Sequence, residues 1–178
     1  MNRKAFVVRR ALEEDIPQIK EVSKEAFSIY AEGAGISSIV GPLEETFESL
    51  KKEIETKLVF VALIDDLIIG SVRVEVMPDG TAYLSRFGVR GDYQNNGIGK
   101  ILMNTVDSAM ENLGVTKLYL HTASRMFSLV RFYYGRGFYI ESTTKDRGYI
   151  RALLCKEYIS KDASMHSEDF DINVVAAG

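Results

Sequence analysis

The chain has 178 residues, 46% hydrophobic and 26% charged, with a formal net charge of −3. This is the composition of one soluble domain, long enough to bury roughly 70% of the surface its unfolded form exposes. The single cysteine, Cys155, excludes an intramolecular disulfide and a cysteine-only zinc site, and no metal is expected. Lys and Arg are scattered under a slight acidic excess, so no nucleic-acid partner is expected either.

The first ten residues hold no apolar region of signal-peptide length. No run approaches the roughly 20 apolar residues of a membrane span. A cytoplasmic protein with no membrane partner is the expectation. Ala5 to Arg10 reads as a strand, and Asp15-Ile16-Pro17 as a helix start, with proline tolerated in the first turn. Ile19, Val22, Ala26, Phe27 and Ile29 or Tyr30 give that helix one apolar face. Ala31 to Pro42 holds three glycines without a period and reads as a long loop, the kind that is often functional. Leu43 to Thr56 returns to a helical pattern.

Leu58–Ile64, Leu67–Met77 and Thr81–Arg90 read as strands, turned at Asp65-Asp66 and at Pro78-Asp79-Gly80. A long amphipathic helix follows, with Ile98, Ile101, Leu102, Thr105, Val106, Ala109 and Leu113 on one face. Val115–Thr122 is a further strand and Ser124–Arg136 a further helix. Phe138–Thr143 and Tyr149–Tyr158 close as a pair of strands. The order βααβββαβαββ is an α/β fold with a mixed sheet. Residues 1–158 are expected to form one domain, and 159–178 a polar tail ending in an apolar patch.

The segment Gln94-Asn95-Asn96-Gly97-Ile98-Gly99-Lys100 lies between a strand and a helix start. Such a junction exposes backbone N–H groups that the helix cannot satisfy, and their partial positive charge suits a phosphate or pyrophosphate. A P-loop would need glycine at position 94 and Ser or Thr at 101, where Gln and Ile stand. A dinucleotide fingerprint would need a third glycine at position 102, which is Leu. Asn95-Asn96-Gly97 as a plain turn with a helix cap is the simpler alternative.

Phe87-Gly88-Val89 followed by Tyr93 to Leu102 resembles the acetyl-coenzyme A motif of the GNAT superfamily of N-acetyltransferases, whose pattern Gln94, Gly97 and Gly99 satisfy. A second family signature, a helix ending in a tyrosine four residues before Gly-Phe, is similar to Tyr133, Gly137 and Phe138. The element order of residues 5–157 also resembles the family's. The resemblance implies a mainly antiparallel central sheet with helices on both faces. It also implies an acetyl-coenzyme A co-substrate and transfer to a primary amine, of a small molecule, by direct attack. The N–H groups of Asn95 to Lys100 would hold the pyrophosphate. The backbone of Phe87, Gly88 and Val89 would pair with the pantetheine arm, provided that Tyr83–Val89 splays from Val115–Thr122. A backbone N–H there could also hold the tetrahedral oxyanion.

Attack on a thioester needs a neutral amine, hence a base, and the departing thiolate needs a proton donor. Tyr133 matches the family's donor. Many family members carry a base glutamate on the strand before the loop, and this chain has none between Thr81 and Arg90. Tyr83, Ser85, Glu75 and His121 are therefore all candidate bases. Met126 stands where many relatives place an asparagine, and it cannot supply the same hydrogen bond. Cys155 reads as a small buried apolar residue rather than an acyl carrier. Glu32, Arg86, Lys145, Asp146 and Arg147 are polar groups that could orient an acceptor: Glu32 or Glu75 a cationic one, Arg86 or Arg147 a carboxylated one. A non-catalytic acyl-coenzyme A sensor and a protein N-terminal or lysine acetyltransferase are the alternative functions. Strand edges near the C-terminus would allow a homodimer.

Overall fold

The computed structural model describes residues 5–36 and 45–159. Half of the expected loop at Ala31–Pro42 and nearly all of the 159–178 tail lie outside them. Strands β1 (Phe6–Arg10), β2 (Leu58–Ile64), β3 (Leu67–Val76), β4 (Thr81–Val89), β5 (Lys117–Ala123), β6 (Tyr139–Thr144) and β7 (Arg151–Glu157) form one sheet in the order β1-β2-β3-β4-β5-β7-β6. Every neighbouring pair is antiparallel except β4 with β5. The helices are α1 (Ile16–Ala34), α2 (Phe47–Thr56), α3 (Ile98–Asn112) and α4 (Phe127–Tyr134). The expected element order and mixed sheet are both present.

Two apolar clusters cover the two faces of the sheet. On one side Ile16, Ile19 and Val22 of α1 and Leu50 of α2 pack with Val59, Val61, Leu63 and Ile68. On the other, Leu102, Met103, Val106 and Met110 of α3 meet Val72, Val74, Ala82, Leu84, Leu118 and Leu120. The period of two along a strand places Tyr83 and His121 on the α1/α2 face, opposite to Leu84 and Leu120.

Helix α1 runs farther than expected. It continues through Gly33 to Ala34 and ends at Gly35, whose φ of 66° supplies the left-handed C-cap. Gly33 carries a packing constraint as well, since a Cβ there would stand 3.1 Å from the Met126 sulfur. Helix α4 is shorter than the sequence pattern, beginning only after Met126.

The central irregularity lies between β4 and β5. Their parallel pairing lasts three residue pairs, from Thr81–Lys117 to Tyr83–Tyr119. Beyond Tyr83 the strands part, so the β5-facing backbone edge of Leu84–Val89 has no strand partner among the described residues. A bulge helps to open the gap. Ser71 and Arg73 of β3 pair with Gly88 and Ser85, which leaves one extra residue in β4, and Arg86 there adopts φ 52°. Helix α1 lies close over the parted end. A Cβ on Gly88 would come within 2.5 Å of the Ala26 Cβ.

Candidate active site

The parted strands open a cleft of about 650 Å³. Its lining comes from α1, β4, the turn before α3, β5, α4 and the β6–β7 connection. The cleft therefore joins the two faces of the sheet at the one place where the ladder fails.

At one end is the glycine turn. The Gln94 side chain ties it back to β4 by donating to the Val89 carbonyl at 3.0 Å. Asn95 (φ 62°) and Gly97 (φ 81°) take left-handed conformations that reverse the chain into α3. The first hydrogen bond into the helix is Ile101 N–H to the Gly97 carbonyl, at 3.1 Å. The N–H groups of Asn95 to Lys100 have no hydrogen-bond partner among the described residues. Gly99 must lack a side chain, since a Cβ would meet the Phe87 ring tip at 3.0 Å. Gln94, Asn95, Gly97, Gly99 and Lys100 line the cleft. Asn96 does not, and the Ile98 side chain turns into the α3 core, so these two offer only backbone.

Tyr133 is buried against the cleft from the α4 side, at 4% exposure. Phe132 and Phe138 stand edge-on to its ring, with centroids 5.4 and 5.5 Å away, and Phe87 lies tilted at 6.3 Å. Its hydroxyl makes no hydrogen bond among the described residues. Burial pushes its pKa well above the ordinary tyrosine value, and nearby Tyr30 adds to the effect. The phenol therefore stays protonated at any working pH, with its O–H free to donate.

Tyr83 and His121 meet on the opposite face. The Tyr83 hydroxyl lies 2.6 Å from His121 Nδ1, and both side chains line the cleft. Burial lowers the His121 pKa below its ordinary value, Arg151 and Arg147 lower it further, and Asp146 opposes them. The shift favours the neutral imidazole at pH 7. Burial raises the Tyr83 pKa despite Arg151 and Arg147. Ser85 also lines this part of the cleft.

Glu75 is not brought to the site. It sits opposite Tyr83 in the β3–β4 ladder, yet its carboxylate pairs with Lys57 at 3.3 Å, beside α2 and away from the cleft lining. Glu32 is exposed on α1 and is likewise absent from the lining. Cys155 is fully buried within β7 and does not line the cleft.

Sequence reasoning missed Tyr30 and Arg151. Tyr30 looks like the end of an apolar helical stripe, but its hydroxyl accepts the Ala123 N–H at 2.7 Å and so bridges α1 to the end of β5. Arg151, the first residue of β7, enters the cleft and is gripped by Asp146 at 2.8 and 3.2 Å. Tyr30 has no local sequence signal because its contact joins segments 93 residues apart, whereas the Asp146–Arg151 pair is only five residues apart and its place in the cleft is set by the packing of β7 beside β5.

Residues 19–138 match the family model described as the acetyltransferase (GNAT) family. The chain belongs to the GNAT acetyltransferase family. Membership makes the protein an acyltransferase. The Thermoplasma acidophilum PaiA N-acetyltransferase, solved in complex with coenzyme A, has the same fold at a TM-score of 0.75 and 24% identity, covering 86% of this chain and 99% of that one. The ribosomal-protein-S18-alanine N-acetyltransferase of Escherichia coli has a TM-score of 0.70 at 17% identity, with 88% and 95% covered. A GNAT-family acetyltransferase of Staphylococcus aureus Mu50 also reaches 0.70, at 18% identity, with 86% and 99% covered. No curated protein sequence matches the chain. Among the described residues of this acetyltransferase, no group of three His, Cys, Asp or Glu could hold a metal, and no helix is long and apolar enough to cross a membrane.

Proposed function

We propose that the protein transfers the acetyl group of acetyl-coenzyme A to the primary amine of a small molecule by direct attack. One observation supports this most strongly. The unpartnered N–H groups of the glycine turn, the free hydroxyl of Tyr133 and the Tyr83–His121 pair all open onto a single cleft. The turn is an anion seat with the reach and polarity for a pyrophosphate. From there the pantetheine arm would run along the open edge of Leu84–Val89, treating β4 as its neighbouring strand, and would bring the thioester beside Tyr133.

The acceptor nitrogen enters from the face of Tyr83 and His121. With the imidazole proton on Nε2, Nδ1 accepts the Tyr83 hydroxyl. As the amine nitrogen bonds to the thioester carbon, Tyr83 takes the nitrogen's proton and passes its own to Nδ1. A neutral histidine can receive that proton near pH 7. Collapse of the tetrahedral intermediate breaks the carbon–sulfur bond and leaves the sulfur anionic. Tyr133 donates its hydrogen bond there. Its raised pKa makes complete proton transfer to a thiolate uphill, so its chief effect is to stabilise the leaving sulfur, and solvent completes the protonation. Cys155 takes no part.

The test is a panel of primary amines incubated with acetyl-coenzyme A, with thiol release and acceptor mass followed together. At least one amine should gain an acetyl group in step with thiol release. Tight acetyl-coenzyme A binding without acetylation of any amine would favour a sensor over an enzyme.

A further inference from the structure

The acceptor half of the cleft has an unusual charge balance. No Asp or Glu lines the cleft among the described residues, whereas Arg86, Lys100, Arg147 and Arg151 all do. Lys100 sits on the glycine turn, with the phosphates. Arg147 and Arg151 stand near enough to the Tyr83–His121 pair to act on its charge, and Arg86 lines the cleft from β4.

These three arginines are not equivalent. Arg86 is held from behind by Glu45 at 3.1 Å, a carboxylate that also grips the buried Arg73. Arg151 is held by both oxygens of Asp146. Arg147 makes no ion pair among the described residues and is exposed on the β6–β7 connection. It is the cation left for a ligand. The carboxylates that could have received a cationic acceptor are placed elsewhere. Glu75 pairs with Lys57, Glu25 accepts the Gly91 N–H, and Glu32 is outside the lining.

Resting on the transferase reading above, we propose that the acceptor is an amino-carboxylate, and that Arg147 is the anchor that selects its carboxylate. A guanidinium fork matches a carboxylate in geometry and charge. A polycationic amine would meet a lining with arginines and no carboxylate. The arrangement also favours the chemistry. Cations near the acceptor nitrogen depress the pKa of its ammonium form, so more of it is neutral and nucleophilic. The acceptor's own carboxylate offsets the repulsion that the cations would otherwise impose on binding.

The experiment compares four matched acceptors: an amino acid, its carboxamide, the corresponding decarboxylated amine and a diamine of similar length. A phosphonate analogue serves as a fifth arm to separate carboxylate from general anion recognition. In the wild-type protein, kcat/KM for the amino acid should exceed that for the carboxamide at least tenfold, chiefly through KM, and exceed that for the phosphonate. Arg147→Gln should bring the carboxylate-to-carboxamide ratio towards one, and Arg147→Lys should keep an intermediate ratio. Arg147 lies on an exposed turn, so the variants will fold, and circular dichroism checks this. A diamine or carboxamide turned over as well as the amino acid overturns the inference and leaves the transferase reading standing. So does an Arg147→Gln variant that slows every acceptor equally. Absence of transfer to every acceptor overturns the inference together with the transferase reading.

Discussion

Replacing His121 by glutamine separates a base from a structural histidine. The residue makes one short contact, 2.6 Å from Nδ1 to the Tyr83 hydroxyl. Lost as an ordinary hydrogen bond, that contact is worth about 1 kcal/mol, a rate effect of roughly fivefold if it only positions Tyr83. A general base contributes about 10²–10⁴-fold, or ~3–5 kcal/mol of the barrier. The two readings are therefore at least an order of magnitude apart. The pH profile divides them again. Burial first, then Arg151 and Arg147 against Asp146, depress the His121 pKa. The base form is thus favoured at neutral pH, and the fall in activity due to its protonation should lie below the ordinary histidine value of about 6.5. Steady-state kcat/KM from pH 5 to 9 is the assay, with a range chosen to span that value. We expect the wild type to show an acid limb below pH 6.5, and the variant to be slowed at least ~100-fold with that limb gone. A loss of fivefold or less with the acid limb unchanged would refute the relay.

Tyr133→Phe should lower kcat by about 10²-fold, the low end for a proton donor because the phenol acts mainly through a hydrogen bond. Its effect on acetyl-coenzyme A affinity, read by calorimetry, should be small, since the aromatic packing of the ring is kept. Gly88→Ala forces a Cβ to within 2.5 Å of the Ala26 Cβ, so α1 must shift. The expected cost is about 1–3 kcal/mol in denaturant unfolding, and Gly88→Ala with Ala26→Gly should be more stable than the sum of the two single changes. Glu45→Gln strips the bidentate partner from an Arg73 that is 1% exposed, leaving only Glu53 at 3.2 Å. We expect a loss of about 3 kcal/mol, roughly 6–12 °C in Tm. Burial opposes ionisation of Glu45, but the Arg73 hydrogen bonds and the charges of Arg73 and Arg86 outweigh it, so its pKa is lowered. Its stabilisation is present above the ordinary carboxylate range and fades as pH falls through the lowered value. The variant's deficit in acid titrations monitored by circular dichroism should shrink accordingly.

The fold was legible wherever a signal is local. The turns at Asp65-Asp66 and Pro78-Asp79-Gly80 bound strands that the structure places within a residue or two of the sequence reading. Gly97 marked the turn into α3 because a φ of 81° has a residue preference readable in one dimension. The extent of α1 was not legible. Three glycines suggested a loop from Ala31, but Gly33 serves contact with Met126, which comes from a segment far along the chain. The candidate bases illustrate the same limit. Alternation along β4 puts Tyr83 and Ser85 on one face, but only the parallel register of β4 with β5 brings His121 to Tyr83, and only the packing of α2 beside β3 gives Glu75 to Lys57. The charge of the acceptor end is likewise a property of three-dimensional assembly. Arg86 is remote in sequence from Arg147 and Arg151, and the acidic partners of Arg86 and Arg151 are not in the cleft lining.

The central claim is that one cleft holds acetyl-coenzyme A by the glycine turn and delivers its acetyl group directly to an amine. A single-turnover experiment with isotopically labelled acetyl-coenzyme A, quenched over time and read by mass spectrometry of both acceptor and protein, tests it most directly. The label should pass to the acceptor nitrogen in step with thiol release, with no labelled protein at any time point. Labelled protein forming before labelled acceptor, or folded protein that fails to bind acetyl-coenzyme A, would contradict it.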